Sequence, residues 1–189
     1  FRSQNMTKED IETLVNNTIE EIKQAIEEFD LDEFKEATGA KLSNLKDKLE
    51  YLDEVARLEY EEWADNKEEN KEERIKRKKE KICCMFSNKS FCKLILVENN
   101  ELVGFISIFP EDCEEEKELT PWYATMYVKK EYRNHGYSRI LNDAILKEAK
   151  DRGFLTLYLK TDLKNYYEKF GATFIKKLKS GESLYKFEI

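Results

Sequence analysis

The apolar residues of this chain change their period at about Phe91, and that change limits the fold more than any other feature. Before it, apolar positions recur every three or four residues, the spacing of amphipathic helices. Ile11, Leu14, Val15, Ile19, Ile22, Ala25, Ile26 and Phe29 predict a helix over residues 7–29. Thr7 and Asp10 in front of it have the form of a capping box, with Asp in place of Glu. A short helix over 31–38, a stop at Gly39 and a short strand over Lys41–Leu45 follow. Helices are then expected at Leu49–Trp63 and Glu68–Met85.

From Phe91 onward strands dominate. Phe91–Glu98 and Glu101–Phe109 are β-rich runs, and Asn99-Asn100 between them is a tight-turn signal. An acidic loop, Glu111–Glu118, leads to a strand at Trp122–Lys129. A helix is expected over Ser138–Arg152, stopped by Gly153. A strand at Phe154–Thr161, a short helix at Lys164–Phe170 and a hairpin of Ala172–Leu178 with Leu184–Ile189 complete the pattern. Helices thus come first and mostly strands afterwards. No internal repeat is visible.

Composition removes several classes. Charged residues are 39% of the 189, with net charge −7, against about 25% in ordinary domains. Aromatics at 12% and regular apolar spacing argue against disorder. No apolar run approaches the roughly 20 residues of a membrane span, so no membrane partner is expected. The start has no signal-peptide core, and the chain opens on Phe1, so whether residues 1–5 are native is left open. The acidic balance argues against general nucleic-acid binding. Even the basic run Lys71–Lys81 is interleaved with Glu at helical spacing, as in a solvated helix face. Cys83, Cys84, Cys92 and Cys113 form no Cys-x-x-Cys, and His135 is the sole histidine. Free, buried structural thiols in a reducing cytoplasm are expected, and no metal site.

Tyr127-Val-Lys-Lys-Glu-Tyr-Arg-Asn-His-Gly-Tyr-Ser-Arg139 carries the chemistry. A strand ends, a polar loop containing Gly136 follows, and an amphipathic helix begins. Such a loop aims backbone N–H groups at one point, beside the positive end of a helix dipole, and so suits a phosphate. Arg133, His135 and Arg139 add donors there. On spacing alone an ordinary strand-to-helix turn fits equally well.

Residues 93–176 resemble the GNAT superfamily of acyl-CoA-dependent N-acetyltransferases. The family's Arg/Gln-x-x-Gly-x-Gly/Ala loop is matched by Arg133-Asn134-His135-Gly136-Tyr137-Ser138, departing only at the last position. Val128 stands five residues ahead of Arg133, as in the family's Val-x-x-x-(Tyr/Phe)-Arg. Leu157–Thr161 and Asn165-Tyr-Tyr-Glu-Lys-Phe-Gly171 resemble the family's late strand and its Asn…Tyr-x-x-x-Gly-Phe segment. Ala172 replaces the final Phe there, and Phe174 is expected to fill that core position. Leu45–Trp63 and Leu119–Trp122 resemble one bacterial branch of the superfamily; residues 1–40 lie outside the resemblance.

The resemblance implies an α+β domain of three layers, α/β/α, at 41–189, with a mixed, mostly antiparallel twisted sheet flanked by helices, and a helical extension at 1–40. It implies acetyl-CoA as acetyl donor, with no metal. The pyrophosphate would lie on Arg133, Asn134, His135, Gly136, Tyr137, Ser138 and Arg139. The pantetheine would lie along Met126, Tyr127 and Val128, with Asn165 beside the cofactor, in a gap between the strands ending near Lys129 and Thr161. Tyr167 would protonate the leaving thiolate, and Glu118 is the nearest acid to the family's general base, with Asp112, Glu61 and Glu62 as competitors. Trp122, Asp112 and Glu62 would contact a small-molecule amine, and an acidic rim suggests a cationic one. The competing reading is a non-catalytic CoA-binding or protein-interaction module, with the N-terminal helix free to dock a partner or form a homodimer.

Overall fold

The computed structural model describes residues 7–27 and 39–189. The chain forms two units, Phe1–Thr38 and Gly39–Ile189. The first contains helix α1, Lys8–Glu27. Its N-terminus is the reciprocal capping box: Thr7 N donates to Asp10 Oδ2 (2.8 Å) and Asp10 N to Thr7 Oγ1 (3.1 Å). Phe29, the expected helix over 31–38 and the side chains of Ala25 and Ile26 lie outside the described residues.

The second unit is built on a sheet of strands β1 (Lys41–Asn44), β2 (Cys92–Glu98), β3 (Glu101–Phe109), β4 (Trp122–Val128), β5 (Thr156–Thr161), β6 (Thr173–Lys177) and β7 (Ser183–Glu188). Their order is β1-β2-β3-β4-β5-β7-β6. Every neighbouring pair is antiparallel except β4 and β5. Helices α2 (Leu52–Trp63) and α3 (Lys71–Met85) cover one face, and α4 (Tyr137–Asp151) covers the other.

Strand alternation divides the core between these layers. Ile95 and Phe105 pack with Val55, Ala56 and Tyr60 of α2 and with Ile75 and Ile82 of α3. On the opposite face α4 buries Ile140, Leu141, Ile145 and Ala149 at helical spacing. Gly153, at φ +85°, ends that helix in the left-handed conformation. Among the described residues no helix is long and apolar enough to cross a membrane.

Four local expectations change. The helix expected over 164–170 is a single 3₁₀ turn, Tyr167–Phe170, because Asn165 takes a left-handed φ of +54°. The third helix starts at Lys71, after Asn70 at φ +51°. Ala172, not Phe174, is buried beside Gly171; Phe174 is 51% exposed and leans edge-on against Tyr185. Cys92 is buried, which pushes its thiol up to about 11, but Cys83 and Cys84 at the end of α3 are exposed.

A bulge and a close backbone approach shape the middle of the sheet. The β3–β4 register steps from Phe105↔Tyr127 to Ser107↔Ala124, which places one extra residue in β4. Gly104 lies where β3, β4 and α4 converge. A Cβ on it would sit 2.3 Å from the Tyr127 carbonyl oxygen and 3.2 Å from Leu141 Cδ1. Gly104→Ala must therefore push β4 away from β3. Overpacking of this kind costs about 1–3 kcal/mol, a Tm lower by about 2–12 °C for a chain this size. Thermal unfolding checks this, and an unchanged Tm would contradict the close approach.

Candidate active site

β4 and β5 share a single register pair, Trp122↔Tyr158. Beyond it the two parallel strands separate, and the β4 edge from Tyr123 to Val128 faces a gap. The gap widens into a cleft with two arms.

The first arm holds about 680 Å³. Met126, Tyr127 and Val128 form one wall, and the loop and helix start from Arg133 to Arg139, without His135, form its end. Asn134 (φ +64°) and Gly136 (φ +86°) both adopt left-handed backbone, which folds the loop over the start of α4. Gly136 is the N-cap and caps the helix with no side-chain hydrogen bond, and the first turn of α4 holds no acidic residue. A helix start with no carboxylate and Arg139 beside it is a site for an anion.

The arginine of this loop acts mainly on the chain itself. Arg133 Nε donates to the Val128 carbonyl (2.9 Å), and its guanidinium lies 5.6 Å from the Tyr127 ring centre. It thus ties the loop to the end of β4. The Tyr137 hydroxyl donates to Glu98 Oε1 (2.9 Å), away from the arm. Burial, aided by Glu98, lifts that phenol to about 12.

The second arm holds about 690 Å³ and is acidic. Glu59, Glu62, Asp112, Asp162 and Glu182 line it, against Lys78 and Lys160. Trp63 and Phe109 add aromatic walls, and the half-exposed Trp63 ring stands edge-on to Tyr127 at 6.3 Å. Burial raises the Asp112 carboxyl to about 6, with Lys160 opposing and Glu182 adding. Carboxylates with an aromatic face are suited to an ammonium group.

Glu62, Met126, Leu163 and Tyr167 line both arms. Tyr167 is buried against Tyr123 and Tyr166 (ring centres 5.7 and 4.9 Å), and burial pushes its phenol up to about 12. At neutral pH it is therefore a proton donor.

Behind the second arm lies a buried charge cluster. Glu59 is 2% exposed and Lys93 1%. Lys93 Nζ contacts Glu59 Oε1, and Lys78 Nζ lies 3.1 Å from Glu59 Oε2. Burial alone would raise the Glu59 carboxyl, but Lys93 and Lys78 outweigh it and hold it below the usual carboxylate range.

Several sequence-based assignments fall elsewhere. Glu118 is exposed and lines neither arm. Its loop mostly secures the β6–β7 hairpin: Glu115 accepts from Lys179 N (2.8 Å) and Ser180 N (3.2 Å), and Glu116 pairs with Lys176. Of the two loop acids proposed for the site, only Asp112 reaches the cleft. Glu61 pairs with Lys71 on the surface. Trp122 is fully buried with Leu178 and Leu184, its Nε1 donating to the Leu119 carbonyl (2.7 Å), so it supports the site as core rather than as a wall. His135 and Asn165 are exposed and line neither arm.

Sequence reasoning missed Glu59, Lys78, Lys93, Asp162 and Glu182. Two signals were readable: Lys93 interrupts an apolar strand, and Glu59 falls in the apolar stripe of α2 beside Val55, Ala56 and Tyr60. Among the described residues no His, Cys, Asp and Glu group is arranged to hold a metal ion.

Solved structures share this architecture. An acetyltransferase from Streptococcus agalactiae 2603 is 16% identical with a TM-score of 0.57, covering 80% of this chain and 99% of its own. The PaiA N-acetyltransferase from Thermoplasma acidophilum, in complex with coenzyme A, is 22% identical with a TM-score of 0.56, covering 79% and 99%. An aminoglycoside 6'-N-acetyltransferase complexed with coenzyme A is 18% identical with a TM-score of 0.57, covering 78% and 96%. No curated protein matches the chain. Residues 50–172 match the model of the Acetyltransferase (GNAT) family. With about two thirds of its length inside that match, the chain belongs to the GNAT family of acetyltransferases.

Proposed function

We propose that this chain transfers the acetyl group of acetyl-CoA to the primary amine of a small cationic molecule, by direct attack in a ternary complex. The observation that carries the reading is the two-armed cleft, anion-binding at one end, acidic at the other, with Tyr167 and Met126 where the arms meet. Coenzyme A fits the first arm: its pyrophosphate at the Gly136 helix start, its pantetheine amides along the unpaired β4 edge. The structures with bound coenzyme A cited above support that fit.

The acceptor would enter the second arm as an ammonium and must lose a proton to attack, because an alkyl amine has a pKa of about 10.4. Glu62 faces both arms and is the carboxylate we assign to take that proton, directly or through water, in place of Glu118. Holding amine and thioester together supplies proximity without a covalent enzyme intermediate. Tyr167 then gives its proton to the departing thiolate. Turnover of acetyl-CoA with a panel of polyamines, aminoglycosides and amino acids tests the reading, and a chain that binds coenzyme A but acetylates no amine would overturn it.

Two variants test the roles. Tyr167→Phe keeps the ring but removes the proton, and kcat should fall about tenfold or more; an unchanged kcat would remove Tyr167 from the reaction. Asp112 is charged above about 6 and neutral below it, so the KM for a cationic acceptor should rise as pH falls from 7 to 5. Asp112→Asn should raise KM about tenfold at pH 7, the scale of a lost charge-assisted hydrogen bond, and abolish that part of the pH dependence. A KM indifferent to both changes would exclude Asp112 from acceptor binding.

A further inference from the structure

Thr125 occupies a position in β4 that a β-branched residue ordinarily avoids. Its φ is +47°, left-handed backbone that suits glycine or asparagine. It is next to Ala124 and Met126 in the bulge against β3. A threonine held in such strain calls for a use of its side chain. The Thr125 hydroxyl lies 2.6 Å from Ser107 Oγ, and Ser107 Oγ accepts a 2.8 Å hydrogen bond from Lys93 Nζ. Ser107 is fully buried, as are Lys93 and its partner Glu59. The chain of contacts crosses the sheet from β2 through β3 to β4, and its far end, Thr125, lines the acceptor arm.

Counting donors gives this chain a direction. A lysine ammonium has three donors and no acceptor, and a hydroxyl has one proton. Lys93 gives a proton to Ser107 Oγ. The Ser107 proton is then free for Thr125 Oγ1, and the Thr125 proton is left to point into the cleft. Each bond polarises the next, so a buried cation strengthens a donor one residue from Met126, where the two arms meet. Such a donor is of no use to the attacking amine, whose lone pair must stay free. It suits an oxygen that gains negative charge.

We infer that Thr125 is an oxyanion donor: its hydroxyl, polarised by Lys93 through Ser107, hydrogen-bonds the thioester carbonyl oxygen of acetyl-CoA. Lys93, Ser107 and Glu59 are positioning residues. This deepens the acetyl-transfer reading above and rests on it. The amine nitrogen forms the new N–C bond while the carbonyl π pair moves onto oxygen, against the Thr125 O–H. The pair then returns, the C–S bond breaks, and the sulfur takes a proton. The nitrogen loses one, so the products are the amide and the free thiol.

The test is isotope-edited infrared spectroscopy of acetyl-CoA, carrying ¹³C at the thioester carbonyl, bound to the full chain, with calorimetry and Tm on the same samples. On the wild type the bound carbonyl stretch should lie below that of free acetyl-CoA. Thr125→Val, close in shape but without the hydroxyl, should move the band most of the way back while binding stays near the wild-type value. Thr125→Ser should keep the wild-type band, and Ser107→Ala, which leaves Thr125 itself intact, should give an intermediate shift. With an acceptor present, kcat of Thr125→Val should fall about a hundredfold, the scale of one lost oxyanion donor. A band unmoved in Thr125→Val, or moved equally in Thr125→Ser, would overturn the donor. A wild-type band in Ser107→Ala would overturn the relay from Lys93. Should the wild type fail to bind acetyl-CoA, the acetyl-transfer reading falls first and this inference with it.

Discussion

β4 and β5 run parallel and pair only at Trp122 and Tyr158, so the backbone groups beyond that pair have no ladder partner across the gap. A sheet tolerates such a gap only if something else satisfies its edges or water reaches them. Here α2 and the Tyr167 turn border the opening, and the Arg133–Arg139 loop closes one end. The extra residue in β4 at Thr125 bends that strand just where the gap opens. Trp122, fully buried, fixes the point from which the strands diverge.

The same geometry separates two kinds of electrostatics within one acidic protein. At the Gly136 end, backbone N–H groups and Arg139 favour an anion. At the other end five carboxylates stand against two lysines. The net charge of −7 therefore says less than its distribution. Many of the charged side chains sit on surface helices as ion pairs such as Arg57–Glu72 and Lys71–Glu61, exposed contacts that each contribute about 0–1 kcal/mol.

The Lys93–Glu59 pair belongs to a different class. Removing one partner from a buried pair typically costs about 3–5 kcal/mol, whereas apolar residues of equal volume in place of both are often neutral or stabilising. Stability therefore gives little reason for a buried ion pair whose ammonium lies beside three aromatic rings. Their connection through Ser107 to the strained Thr125 gives one.

The sequence made the layers and the loop-to-helix turn at Gly136 legible because both rest on local signals: apolar period, turn residues, a glycine before an amphipathic helix. Tyr167 followed from the family resemblance, as the Tyr four residues before Gly171, and the structure puts it at the junction of the arms. Glu118 shows where local reading stops. Its neighbours on the acidic loop are taken up by the β6–β7 hairpin, a contact between segments some 60 residues apart. Asp112 and Glu62 were expected in the acidic arm, but its other carboxylates were illegible for the same reason, since Glu59, Asp162 and Glu182 come from α2, the loop after β5 and the turn before β7. Lys93 and Glu59 were visible as charges in apolar patterns; Glu59 reaches the cleft from α2, and the register Lys93↔Ser107 links Lys93 towards Thr125.

The most direct measurement of the account is a crystal structure of the chain with coenzyme A. The pyrophosphate should lie against the backbone N–H groups at the start of α4, the pantetheine along Met126–Val128, and the sulfur within hydrogen-bonding reach of the Tyr167 hydroxyl. Coenzyme A bound away from the β4–β5 gap, or with its sulfur turned away from Tyr167, would contradict it.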